Sequence, residues 1–123
     1  MLITLEGSII PKVIALLDDG PQPEEIMQER AVPLAIAYAR IGQKAKAYAK
    51  SRLVESGVRG SFISYHTAFM YTALNDRQRA LDVLELAYSR REPDLIFLNV
   101  EPLLAPLRSE PRFVRLLGLM KMR

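Results

Sequence analysis

The sequence predicts an all-α fold of antiparallel helix-turn-helix units closed by a C-terminal capping helix. Three observations carry this. Apolar residues recur at three- and four-residue intervals through most of the 123 residues, as on a helix with one buried face. No segment alternates apolar and polar residues for more than a few positions, as a half-buried strand would. Glycine, asparagine and proline stand where the periodic runs stop.

Taken in order, Ser8 is a plausible N-cap for "IIPKVIALLDDG", whose Ile10, Val13, Ile14 and Leu17 make one apolar face ending at Gly20. "PQP" connects to "EEIMQERAVPLAIAYARIG", which opens on acidic residues suited to a helix N-terminus and closes at Gly42. Pro33 lies inside this run, so either a kink there or a helix start near Ala31 is expected. A third helix, "QKAKAYAKSRLVESG", ends at Gly57, and "VRG" leads to a fourth from Ser61 to Asn75. The fifth, "RQRALDVLELAYSR", is capped by Asn75 or Asp76 and stops before Pro93. Pro102 and Pro111 suit first helical positions, where a missing amide costs nothing. They imply a turn of helix from Pro102 to about Leu107 and a last helix from Pro111 to about Met120.

Composition narrows the function classes. Half the residues are hydrophobic, enough for a single domain with one core. There is no cysteine, which removes disulfides, thiolate metal sites and cysteine nucleophiles and points to a reducing, cytoplasmic setting. No apolar stretch reaches the roughly 18 residues of a membrane span, and the start lacks a basic leader. The net charge of +3 is uneven: residues 1–30 hold two basic and six acidic groups, −4, and residues 31–60 hold six basic and one acidic, +5. Arg40, Lys44, Lys46, Lys50 and Arg52 read first as an ordinary solvated helix face and second as a weak phosphate-binding stripe. No phosphate loop, HExxH motif, nucleophile elbow or His/carboxylate cluster is present, and His66, the lone histidine, lacks a ligand partner. The expectation is a non-enzyme with no cofactor and no metal. Asp18 and Asp19 read as surface charge.

Sliding the chain by 33 residues pairs Ala35 with Ala68, Tyr38 with Tyr71, Ala47 with Ala80, Leu53 with Leu86 and Ser56 with Ser89. Each hairpin thus has a small residue three before a tyrosine, a turn four residues after it, and an alanine on the second helix. On these residues the chain resembles the tetratricopeptide repeat family. "LAIAY" at 34–38 matches with Ala35 in the glycine's place, and Ala47, Ala68, Tyr71 and Ala80 match. Ala31 and Ser64 stand where that family often has Trp, and Ser51 and Leu84 where it has Phe. No proline closes the first repeat. The echo of "LLDDG" at 16–20 in "LVESG" at 53–57 makes the first helix a candidate half-repeat. "EPLLAPLRSEPRF" is similar to the segment that closes many bacterial tetratricopeptide proteins, with Glu101 and Glu110 where aspartate is usual.

The resemblance implies a right-handed solenoid in one domain: a partial repeat at 1–22, repeats at 24–57 and 60–92, and a proline-punctuated cap at 93–123. It also implies a concave groove for a protein or peptide, lined by Glu29, Val32, Ile36 and Arg40 from the second helix and by Phe62, Tyr65, Phe69 and Thr72 from the fourth. The same stripe would equally serve as core if the C-terminal helix lay across it. The leading function is a protein-interaction module of a bacterial transcriptional or signalling regulator. The alternatives are a self-associating structural oligomer, such as a homodimer, and, behind both, a nucleic-acid accessory protein using the basic helix 43–57.

Overall fold

The computed structural model describes residues 3–18, 20–21, 23–55 and 64–121, without the side chains of 3–8, 24, 25, 28, 29 and 64. It is all-helical, with no strand among the described residues. The chain is organised as two compact units, Met1–Ser61 and Phe62–Arg123, where the sequence suggested one continuous domain; the division falls between the two hairpins.

The first unit contains α1 (Ile3–Leu17), α2 (Glu24–Arg40) and α3 (Lys44–Glu55). Ser8 lies inside α1 rather than capping it, and α1 continues through Pro11. Likewise α2 runs unbroken from Glu24 through Pro33, so the alternative start near Ala31 does not occur. The cost of each proline is offset by neighbouring apolar burial: Ile10 beside Pro11, and Ala31, Leu34 and Ala35 around Pro33. α2 and α3 pack closely as a hairpin, and α1 lies more lightly against α2. Arg30 of α2 donates to the Leu17 carbonyl at 3.1 Å, satisfying one of the open acceptors at the end of α1.

The second unit contains α4 (Ser64–Ala73), α5 (Arg77–Ser89), 3₁₀ helices at Pro93–Phe97 and Pro102–Leu107, and α6 (Pro111–Leu119). The two closing helices fall where the prolines place them. α4 packs on α5 and on the second 3₁₀ helix, while α6 lies on α5. Glu101 caps the second 3₁₀ helix by accepting from Leu103 N at 3.1 Å. Glu110 at the start of α6 makes no such cap; its carboxylate faces Arg77 at 3.4 Å. Arg108 donates to the carbonyls of Asn99 and Glu101, tying the linker to the segment it leads into. Arg112 donates to Gln78, Asp82 and Glu85 of α5 over 2.7–3.0 Å.

The 33-residue spacing reappears in the turns. After α2, Gln43 N donates to Tyr38 O at 2.9 Å and Gly42 N to Ala39 O at 3.2 Å, with Gly42 at φ +83°. After α4, Asp76 N donates to Tyr71 O at 2.9 Å and Asn75 N to Thr72 O at 3.0 Å, with Asn75 at φ +62°. Both are the same left-handed helix ending, which glycine adopts freely and asparagine tolerates. Asp76 rather than Asn75 caps α5, accepting from Arg79 N at 3.3 Å. The alanines that follow, Ala47 and Ala80, donate to Gln43 O and Asp76 O, each at 3.1 Å.

Ala35 and Ala80 are both fully buried, at 0% exposure. Replacing either with Leu inserts three carbons into close helix contacts and is expected to cost about 1–3 kcal/mol. Denaturant melts of the two variants check this; a loss under about 0.5 kcal/mol at both sites would contradict tight packing at the repeat positions.

Candidate partner-binding face

The eight residues expected to line a groove divide sharply. Val32, Ile36 and Arg40 follow one another at four-residue intervals on α2; the first two are half-buried and Arg40 is exposed. Glu29 belongs to α2, but its side chain is not among those described, and Phe62 lies outside the described residues. Tyr65, Phe69 and Thr72 are buried, at 2%, 9% and 7% exposure. In this structure those three are packing residues of the second unit and not a docking surface. The second 3₁₀ helix of the closing segment packs on α4, with the Glu101 charge at its start acting on Tyr65.

Tyr65, His66 and Phe69 of α4 form a compact group. The Tyr65 and Phe69 rings meet edge-on at 5.0 Å, and His66 meets Phe69 edge-on at 5.5 Å. His66 Nε2 stands 3.6 Å from Asp94, with both side chains near half exposure. Glu92 accepts from Tyr65 N at 3.0 Å, fastening the start of α4 to the residues after α5. The Tyr65 hydroxyl is buried with no hydrogen-bond partner among the described residues. Burial, reinforced by the nearby Glu101 and Asp94 charges, pushes its pKa up to about 12.

Asp18 is not the plain surface charge that its place after α1 suggests. Its carboxylate accepts from the Tyr38 hydroxyl at 2.6 Å and from Lys50 Nζ at 3.3 Å, joining the end of α1 to both α2 and α3. Donation from Tyr38 chiefly holds the Asp18 carboxyl below its usual value, against the opposing effect of burial. Burial and this same bond push Tyr38 up to about 12. Lys46 lies 5.5 Å over the Tyr38 ring. In the second unit, hydrogen bonds from Arg112 hold Glu85 low, and those bonds keep the guanidinium more firmly protonated than usual. These perturbed groups are engaged in joining helices or in the core. No local pattern marks the Asp18–Tyr38 pair, whose members lie 20 residues apart.

Comparison with protein-family models, with curated proteins and with solved structures returned no match. Among the described residues no three His, Cys, Asp or Glu side chains come together as a metal ion would require. No described helix is long and apolar enough to cross a membrane.

Proposed function

We propose that this chain is a non-catalytic protein-interaction module of the tetratricopeptide kind, serving as the scaffolding or sensory part of a regulatory protein. The observation that supports this most directly is the burial of the alanines and tyrosines matched at the 33-residue shift: Ala35 and Ala68, and Ala47 and Ala80, at 0% exposure, and Tyr38 and Tyr71 at 5% and 6%. Each tyrosine is followed by the same helix ending, which also closes α5 at Arg91. Local geometry duplicated at the spacing of the matched alanines and tyrosines is what a helical-repeat scaffold provides. The residues with shifted proton affinity fit this reading too, because helix-joining bonds and core burial account for them.

On this reading the partner docks along the α2 face, with Val32 and Ile36 supplying apolar contact and Arg40 orienting a carboxylate. The test is capture from the source organism's lysate by the immobilised wild type and by Ile36→Ala/Arg40→Glu. A specific partner retained by the wild type should be depleted about tenfold or more by the variant, with helicity and melting close to wild type. Identical capture profiles would remove the α2 face. A mass in solution that doubles with concentration, and reverts in the variant, would identify the partner as another copy of this chain.

A further inference from the structure

α3 carries a second surface that the α2 reading does not use. Lys44, Tyr48 and Arg52 stand at four-residue intervals on this helix and all are exposed, Tyr48 at 42%. At 1.5 Å per residue the two cations lie about 12 Å apart along the axis. Between them are only Ala45, Lys46, Ala47, Ala49, Lys50 and Ser51 besides Tyr48, so the helix presents no carboxylate until Glu55. Lys46 and Lys50 have structural work over Tyr38 and on Asp18. Neither Lys44 nor Arg52 is paired with a carboxylate among the described residues.

A second, independent observation concerns the helix itself. The first turn of α3 contains no acidic residue, and Lys44 is its first residue. A cation there faces the positive end of the helix dipole, where a carboxylate would stabilise and a lysine does the reverse. Lys44 thus stands at an unfavourable place for local helix stability, and it is exposed.

We propose that the Lys44–Tyr48–Arg52 face of α3 docks an acidic segment of a partner protein, with carboxylates spaced to meet the two cations and apolar side chains resting on Tyr48. Charge complementarity commits the site to an anionic partner. The small number of cations favours a peptide over nucleic acid, since phosphate-backbone binding gathers its affinity from about 6–10 such contacts. Exposed alanines and a tyrosine between the charges also suit side chains better than a phosphate backbone. The proposal does not depend on the α2 face, and either can fail without the other.

The experiment uses the full chain and a fluorescein-labelled peptide with a glutamate at every fourth position and leucines between, followed by fluorescence anisotropy, with a labelled oligothymidylate as the second probe. Saturable peptide binding is expected, weakening as salt rises from about 50 to about 300 mM. Lys44→Glu/Arg52→Glu should weaken it at least about tenfold, and Tyr48→Ala should weaken it several-fold. The charge-reversed variant should melt close to the wild-type temperature, because the glutamate at 44 favours the start of α3 while the glutamate at 52 disfavours its last turn. Three results would each overturn the proposal: no saturable peptide binding, equal binding by the charge-reversed variant, or tighter binding of the oligothymidylate than of the peptide.

Discussion

A chain ending before residue 100 is expected to lose the native packing of its second unit. Deletion of residues 100–123 removes Leu104, Leu107 and Phe113, each at 0% exposure, together with Leu116 at 3%. At about 1.5–3 kcal/mol for each buried side chain, these four contribute on the order of 6–12 kcal/mol as an upper estimate, comparable with the total stability of a typical domain. The deletion also uncovers α4, which the second 3₁₀ helix packs against, and removes the charged bonds from Arg112 to α5. Near-ultraviolet circular dichroism should collapse while much helical signal remains, and light scattering should report aggregation. A monomeric truncated chain that melts like the full one would refute the covering role of this segment.

The second large effect is alkaline unfolding. Tyr38 and Tyr65 both have folded-state pKa values raised from 10.0 to about 12. Below pH 10 each phenol is neutral folded and unfolded alike, and the contribution to stability is fully present. Between about pH 10 and about 12 the unfolded chain releases its protons while the native chain retains them, so stability falls with rising pH. Two pKa units correspond to about 2–3 kcal/mol for each tyrosine. Urea melts taken from about pH 8 upward, alongside phenolate absorbance, check this. Tyr65→Phe should be close to neutral near pH 8, because its hydroxyl has no partner to lose, and should remove its share of the alkaline loss. Tyr38→Phe deprives Asp18 of a donor and should cost about 1 kcal/mol near pH 8. Phenols that titrate at the ordinary value with no loss of stability would show that neither ring is held as described.

Much of the helical plan is legible because it depends on local rules. Gly42 and Asn75 end helices through their own backbone conformation, Asp76 caps through its own side chain, and Pro102 and Pro111 begin helices because proline fits there. The misreadings have a different origin. Pro33 offered a helix start near Ala31 that α2 does not use, and Ser8 resembled a cap although α1 begins five residues before it. The candidate groove is less legible still. Helical spacing identifies Tyr65, Phe69 and Thr72 as one side of α4 but does not say whether that side meets a partner or the chain's own closing segment. The pairing of Asp18 with Tyr38 was beyond reach for a related reason: it depends on how α1 returns against α2, and no local pattern encodes that approach.

The grip of Arg112 on α5 limits how the final helix can move. Gln78, Asp82 and Glu85 rise along one stripe of α5, and the guanidinium engages all three together. Phe113 and Leu116 are buried, so a shift of α6 along its neighbour gives up fitted apolar contacts as well as the bonds of Arg112. If α6 slid one turn toward the end of α5, Arg112 would face Asp82, Leu86 and Ser89; one turn the other way, it would face Gln78 and Leu81, and its third position would fall before α5 begins. Either step gives up Glu85 and breaks the two-carboxylate clasp. Arg112 therefore works as a detent: its fork of nitrogens adds a directional preference to the notch that close apolar packing already favours.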